Sequence, residues 1–285
     1  MILLTGVTGT IGRATMLRMP SGTPLRLLAR DPSRVRDVPA SAELVHASYA
    51  DAGSLLAALR GISVAFLITT RIDGADDEAF VRAASRAGVG RVVKLSAAAV
   101  EDSRAADAVT RWQRESEALL RTSGLEWTFL RPRAFMSNTL FWAPSIQTEG
   151  VVRALHGASG NAVVDPRDVA DVAIRTLTEP GHAGRSYTLT GPEPVTAEQQ
   201  TAVLAALLGR PLRFEELTPA QALAALRRRY PEDIADALVR SAARQRDGAK
   251  AHVSDAVRRL TGRAPGDYRA WAADHLDAFT GSRRP

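Results

Sequence analysis

The run Gly6-Val7-Thr8-Gly9-Thr10-Ile11-Gly12 is a G-x-x-G-x-x-G pattern that follows the apolar start Ile2-Leu3-Leu4 and opens a helix-period segment. Glycines at this spacing permit a tight strand-to-helix turn and let phosphate oxygens approach the backbone, while the helix start offers unpaired amides at its positive dipole end. This is the chemistry of a dinucleotide pyrophosphate site. An ordinary strand–helix turn is the plain alternative, and the position between strand and helix decides for the dinucleotide. About 20 residues further on, where an acidic group would take the ribose 2′-hydroxyl of NAD, the second expected strand ends in Arg30. A guanidinium forms forked, charge-assisted hydrogen bonds to a 2′-phosphate, so the expected cofactor is NADP(H). A solvated surface arginine is the alternative for Arg30. The neighbouring Asp31 precedes Pro32 and reads as an N-cap with proline at the first helical position.

These groups need elements to place them. Ile2-Leu3-Leu4, Leu25-Arg26-Leu27-Leu28-Ala29 and Glu43-Leu44-Val45-His46 read as strands, with a helix over 11–19 after the first. A helix over 54–59, the strand Val64-Ala65-Phe66-Leu67-Ile68, a helix over 77–87 and the strand Arg91-Val92-Val93-Lys94-Leu95 follow. A helix over 105–122 and the strand Glu126-Trp127-Thr128-Phe129-Leu130, ended by Pro132, continue the alternation. Near-continuous apolar strands separated by helices imply an α/β fold with a doubly wound parallel sheet. Helical segments at 168–178, 196–208 and 219–246 then dominate, with short strands at Tyr187-Thr188-Leu189 and Leu212-Arg213-Phe214. The expected division is a cofactor-binding part over 1–135 and a smaller, mainly helical substrate lobe over 136–285, with some strands exchanged and a cleft between them. Residues 281–285 are expected to fray.

Composition removes several classes of chemistry. Hydrophobic residues are 45% and charged residues 24% of 285, close to globular averages, which argues against a disordered or fibrous chain. The chain has no cysteine, so disulfides, thiolate nucleophiles, iron–sulfur clusters and Cys-based zinc sites are excluded. His46, His156, His182, His252 and His275 show no ligand spacing, and no metal is expected. No apolar stretch approaches the roughly 20 residues that span a bilayer, and the start lacks a basic n-region, so a cytoplasmic protein without membrane contact is expected. Net charge is +6, and 35 of the 37 basic residues are arginine, leaving Lys94 and Lys250 as the only lysines. The Arg-rich stretch from Arg227-Arg228-Arg229 to Arg263 is interrupted by Glu232, Asp233, Asp236, Asp247 and Asp255, and reads as a solvated helical face rather than a nucleic-acid site.

The glycine run, Lys94-Leu95-Ser96-Ala97, Ser123-Gly124-Leu125-Glu126-Trp127-Thr128-Phe129-Leu130-Arg131-Pro132, Asp165-Pro166-Arg167-Asp168-Val169-Ala170 and Tyr187-Thr188-Leu189-Thr190-Gly191-Pro192 together resemble the NmrA-like branch of the atypical short-chain dehydrogenases/reductases. The resemblance covers about three quarters of the chain and weakens after Arg213. It implies a Rossmann-like sheet with bound NADP(H) and a C-terminal substrate lobe. The family includes NADPH-dependent quinone, azo-dye and triphenylmethane reductases, and also members that bind dinucleotide without turnover and act as redox-sensing regulators. Carried over residue by residue, Gly6, Thr8, Gly9, Thr10, Ile11, Gly12 and Arg30 match the pyrophosphate and 2′-phosphate site. Asp51 is similar to the residue near the adenine, and Ile68-Thr69-Thr70 to the segment beside the ribose. Ser96-Ala97 and Pro132-Arg133-Ala134-Phe135 resemble the strand ends that flank the nicotinamide.

Ordinary short-chain reductases use Tyr-x-x-x-Lys, in which lysine lowers the pKa of a tyrosine proton donor. None of Tyr49, Tyr187, Tyr230 or Tyr268 has lysine at that spacing, and the corresponding positions are Val109 and Gln113. A simple ketone would then lose the ~10²- to 10⁴-fold assistance of a positioned acid. A quinone or extended enone gives a stabilised product without it, so positioning over the nicotinamide can supply much of the rate. The expected activity is NADPH-dependent reduction of a flat conjugated or aromatic small molecule. The alternative is a non-catalytic NADP(H) sensor that binds a protein partner, with monomer or homodimer left open.

Catalytic candidates are sparse. Ser96 either hydrogen-bonds a substrate oxygen or merely terminates its strand, and Gln113 either donates an amide hydrogen bond or lies exposed on its helix. Phe135, Met136, Asn138, Phe141 and Trp142 either wall a pocket for an aromatic ligand or pack the lobe. Arg133 either pairs with an acidic substrate or forms a salt bridge on the rim, and His156 lies in a loop that could face the cleft. Asp165, Arg167 and Asp168 are read as structural, with Asp168 as the helix cap.

Overall fold

Apolar runs of three to seven residues, each bounded by glycine, proline or a polar cap, become the strands of a computed structural model that describes residues 1–281. In chain order the first part contains β1 (Ile2–Leu4), α1 (Thr10–Arg18), β2 (Leu25–Ala29), β3 (Ala42–His46), α2 (Ala52–Leu59) and β4 (Val64–Leu67). Next come α3 (Ala75–Ala87), β5 (Arg91–Leu95), α4 (Ala108–Thr122) and β6 (Glu126–Pro132). The rest comprises α5 (Ala143–Glu149), β7 (Val151–Ala154), α6 (Pro166–Thr178), β8 (Arg185–Leu189), α7 (Ala197–Leu208) and β9 (Arg213–Glu216). The chain then forms α8 (Pro219–Arg227), α9 (Glu232–Arg246), α10 (Ala256–Thr261), α11 (Tyr268–Asp274) and α12 (Asp277–Thr280). Of the end expected to fray, residues 282–285 lie outside the described residues.

Seven strands form one all-parallel sheet in the order β3-β2-β1-β4-β5-β6-β8. The order reverses direction between β1 and β4, and a crevice opens beyond the carboxyl ends of strands at such a switch point. Helices cover both faces. α1 and α6 pack on one side around Leu4, Leu27, Phe66, Val93 and Leu130. On the other, Leu55, Phe80 and Leu120 from α2, α3 and α4 pack on Leu3, Leu67, Val92 and Phe129. A third core, around Met136, Ile146, Val152, Leu204 and Trp271, lies under the small parallel pair β7–β9 and helices α5, α7 and α11.

From the 136–285 part, α6 and β8 lie on the main sheet, β8 beside β6 with Leu130 opposite Tyr187. The strand β7 has no counterpart in the sequence reading, because Val151-Val152-Arg153-Ala154 is too short to show a period. The helix expected over 219–246 is two helices, α8 and α9, since Pro231 forces the preceding residue out of helical geometry. α6 is capped by Asp165, whose carboxylate accepts the Arg167 amide at 2.8 Å, with Pro166 at the first helical position. Asp168 is therefore not the cap: it is buried, accepts the Gly266 amide at 2.8 Å and pairs with Arg263 at 2.6 Å. Most of the Arg-rich C-terminal segment is likewise ion-paired, Arg227 with Glu232, Arg244 with Asp107 and Arg259 with Asp255. Among the described residues no helix is long and apolar enough to cross a membrane, and no group of three or more His, Asp or Glu could hold a metal ion.

Candidate functional site

The parallel sheet collects five of the sequence-predicted segments at its carboxyl edge: Gly6–Gly12 after β1, Arg30 after β2, Ile68–Thr70 after β4, Ser96–Ala97 after β5 and Arg133–Phe135 after β6. Gly6 takes a left-handed φ of +65°, and a Cβ there would stand 2.9 Å from the Ile68 side chain, so the turn lies directly on the end of β4. At Gly12 a Cβ would meet the Gly6 carbonyl oxygen at 2.2 Å, which locks helix α1 against its own loop. Thr5 braces the same junction by donating to the Phe66 carbonyl at 3.0 Å and accepting the Ile68 amide at 2.8 Å.

The start of α1 carries no side-chain cap and no acidic residue in its first turn. Its first amides, from Thr10, Ile11 and Gly12, thus lack an intrahelical partner and face the crevice as an anion site. Thr8, Gly9 and Thr10 are exposed, and the two hydroxyls have no partner in the described chain. A pyrophosphate fits this cradle. Arg30 is exposed and makes no ion pair among the described residues, while Asp31 is spent on the Ser33 amide and hydroxyl at 3.1 and 2.6 Å. The cation is left free for a 2′-phosphate, and the carboxylate is not left free for a ribose. Replacing Arg30 by Ala is expected to raise the KM for NADPH about 10- to 100-fold, the worth of charge-assisted hydrogen bonds, and to leave that for NADH within a factor of two or so. Steady-state kinetics with the two cofactors check it.

Other expected positions are committed elsewhere. Asp51 caps α2 by accepting the Gly53 and Ser54 amides at 2.9 and 3.3 Å, so its carboxylate serves the helix. Thr69 is buried and donates to Asp77 at 2.9 Å, and Thr70 is exposed at the end of β4. Ser96 is buried, and its hydroxyl donates a hydrogen bond to Glu117 at 2.6 Å. Burial alone would raise the Glu117 carboxyl, but hydrogen bonds from Arg131 and Ser96 outweigh it and hold the group below its usual range. A serine bound in this way accepts a hydrogen bond from a ligand but does not present an acid. Gln113 is not exposed, as one expectation had it: it is buried on α4, and its Oε1 has no partner.

The 135–142 run divides. Phe135 is half-buried beside Val164, whereas Met136 is only 1% exposed inside the third core and does not line a cleft. Trp142 also packs on that core, Asn138 is exposed, and Phe141 lies 53% exposed under the guanidinium of Arg229. His156 takes a positive φ of 53°, its amide bonded to Glu216 at the end of β9. Among the described residues Arg133 forms no salt bridge on the rim: its Nε is buried without a partner, and burial pulls its pKa down.

Two buried polar networks under the crevice were not anticipated. Lys94, wholly buried in β5, pairs with Asp77 at 2.8 Å and donates to Thr69 at 3.2 Å, and Trp112 Nε1 donates to the other Asp77 oxygen at 2.8 Å. The second joins Glu117 to Ser96, Arg121 and Arg131, and Arg131 to Glu101. A lysine inside an apolar strand is the one sequence signal for the first network, because such a charge survives burial only when paired.

The cradle, the free arginine and the sheet order define a dinucleotide-binding reductase fold. The chain belongs to the NAD(P)H-binding family, whose model matches residues 6–180, within the NmrA-like atypical short-chain reductases. It is 51% identical over 279 residues, 98% of this chain and 99% of the other, to the (4-alkanoyl-5-oxo-2,5-dihydrofuran-3-yl)methyl phosphate reductase of Streptomyces griseus. It is 33% identical to the NAD(P)H azoreductase of Xenophilus azovorans over 98% of this chain and 99% of that one. The NADPH complex of the Escherichia coli quinone oxidoreductase superposes with a TM-score of 0.86 at 26% identity, covering 97% of this chain and 99% of that one. The likeness, whose motifs weaken after Arg213, extends through the C-terminal part. NADP(H) is the cofactor, and the protein is an oxidoreductase.

Proposed function

We propose that this protein is an NADPH-dependent reductase of a small conjugated acceptor whose reduced form holds negative charge without help from an acid, and that an acylbutenolide is the acceptor type. What carries the reading is the residues at the expected acid positions: Val109 and Gln113 stand where the acid pair would be, and the Ser96 hydroxyl donates its hydrogen bond to Glu117. Bound NADPH would supply the hydride. Gly6, Gly9 and the first amides of α1 would hold its pyrophosphate, Arg30 its 2′-phosphate, and Ser96-Ala97 and Pro132 to Phe135 its nicotinamide end.

The name of the Streptomyces griseus relative describes a ring alkene conjugated to two carbonyls, the 5-oxo group and the 4-alkanoyl group. When the ring carbon bearing the phosphomethyl group accepts a hydride, the electron pair moves to the carbon between the carbonyls and spreads over both oxygens. That carbon then takes a proton from water. The work left for the chain is orientation and exclusion of competing poses, which by proximity alone reaches several kcal/mol. A purified-protein assay of NADPH oxidation, run with acylbutenolides, quinones and aliphatic ketones, is expected to show turnover for the first two and at least ~100-fold less for ketones, the worth of a missing general acid. Efficient ketone reduction would overturn the reading; tight NADPH binding with no turnover would favour a sensor.

A further inference from the structure

We propose that Arg133 and Lys250 form an anion site that holds a phosphate monoester on the substrate, an inference that rests on the reading above for the nature of the rest of that molecule.

Arg133 directly follows β6, and its amide is pinned to the Leu189 carbonyl of β8 at 2.8 Å. The next strip of chain, 161–164, runs alongside: the Val164 amide donates to Ala134 at 2.9 Å, and the Ala162 amide donates to the Lys250 carbonyl at 2.9 Å. One strip therefore separates the backbones of the two cations. Neither side chain has an ion pair or a hydrogen bond among the described residues, and Arg133 Nε is buried without a partner. The carboxylates nearby are already used: Glu101, which acts most strongly on Arg133, binds Arg131 at 2.9 Å and the Thr188 hydroxyl at 2.8 Å. Asp107 caps α4 and binds Arg244 at 2.8 Å, and Asp102 also serves Arg244, at 3.4 Å.

Two half-buried cations flanking one strip of chain, neither with an ion-paired carboxylate among the described residues, are costly, and such arrangements gather where a ligand brings the missing charge. Burial, with Arg244 and Arg133 adding to it, pushes the Lys250 ammonium down to about 8, consistent with a group waiting for a counter-charge. The cofactor's own phosphates are not the occupants. Arg30 on β2 lies four strand spacings from β6, about 19 Å, and the pyrophosphate cradle on β1 three spacings, about 14 Å. Arg133 is instead on the strand end that would flank the nicotinamide, which is where a substrate's charged arm would reach. Lys250 gave no signal in the sequence beyond its rarity, one of two lysines in an arginine-rich chain.

The test uses Arg133→Met, Lys250→Met and the double variant in two arms. In the first, methyl phosphate and inorganic phosphate are titrated calorimetrically into the NADP⁺-loaded protein. Binding in the wild type that weakens about 10- to 100-fold in each single variant is expected, since each removes a charge-assisted contact. No binding to the wild type, or unchanged binding in the double variant, would overturn the site. In the second arm, kcat/KM is compared for an acylbutenolide phosphate and the corresponding alcohol. The phosphate-to-alcohol ratio should fall at least tenfold in each variant, and an unchanged ratio would overturn the assignment to substrate. If neither butenolide is reduced while the calorimetric loss is seen, the anion site stands and the acylbutenolide reading fails.

Discussion

Replacing Gly12 by Ala is expected to weaken NADPH binding by about 100-fold, the cost of moving binding groups by roughly 1 Å out of register. The new Cβ would meet the Gly6 carbonyl oxygen at 2.2 Å and the Val7 nitrogen at 2.9 Å, both backbone atoms, so no side chain can swing aside. The helix start and the loop must separate, and the amides of Thr10, Ile11 and Gly12 then no longer converge on one point. Overpacking of this kind also costs ~1–3 kcal/mol of stability, which a folded domain survives. Nicotinamide fluorescence titration reads the affinity, and circular dichroism confirms the fold. Gly9→Ala is the control, since its Cβ would stand 3.3 Å from the same oxygen and needs only a small adjustment. Equal losses in the two variants would mean that close helix packing at Gly12 is not what shapes the cradle.

The second large effect is on stability. Asp77→Ala removes the partner of Lys94 Nζ and the acceptor for Trp112 Nε1, and leaves an ammonium with no exposed surface. Breaking one side of a buried pair typically costs ~3–5 kcal/mol, whereas replacing both partners by apolar groups is nearly neutral. Asp77→Leu combined with Lys94→Met is therefore expected to recover, in urea denaturation, the part of the loss due to the unpaired ammonium but not the part due to the orphaned Trp112 Nε1 and Thr69 hydroxyl. The pH dependence has a definite sign. Burial already lowers the Lys94 pKa, and losing Asp77 lowers it further. Between the lowered folded value and the unfolded value the unfolded chain binds more protons, so the stability of Asp77→Ala rises with pH across that window. A rise that begins at lower pH than in the wild type and continues up to the unfolded lysine value is the expected result. A flat or falling profile would show that Lys94 is not the group left uncompensated.

The sheet and its glycine turn were legible because their signals are local. The strands around Leu3, Phe66 and Val93 are continuous apolar runs, and the turn is seven consecutive residues with a backbone requirement that only glycine meets at Gly12. Asp31 as a cap was legible for the same reason, since Asp-Pro carries its meaning in two residues. The Asp165-x-x-Asp168 pair was ambiguous, and the proline at 166 was the better guide to which carboxylate caps α6. The site's polar members were not legible, because their partners are far away in the chain. Lys94 meets a residue 17 positions earlier, Glu117 gathers Ser96 and Arg131 from two strands, and Lys250 reaches the Arg133 region only through the 161–164 strip. The Phe135 to Trp142 run left two readings open for a related reason: its spacing cannot tell a side chain that lines a crevice from one, like Met136, that fills a core.

The measurement that bears most directly on the central claim is the fate of a deuterium label carried at the nicotinamide C4 of NADPH. With both C4 positions deuterated and an acylbutenolide phosphate as acceptor in ordinary water, one deuterium is expected on the ring carbon bearing the phosphomethyl group and a solvent proton on the carbon between the two carbonyls. Deuterium on the alkanoyl carbonyl carbon would contradict it, because that product is an alcohol formed by hydride transfer to the carbonyl rather than to the ring alkene.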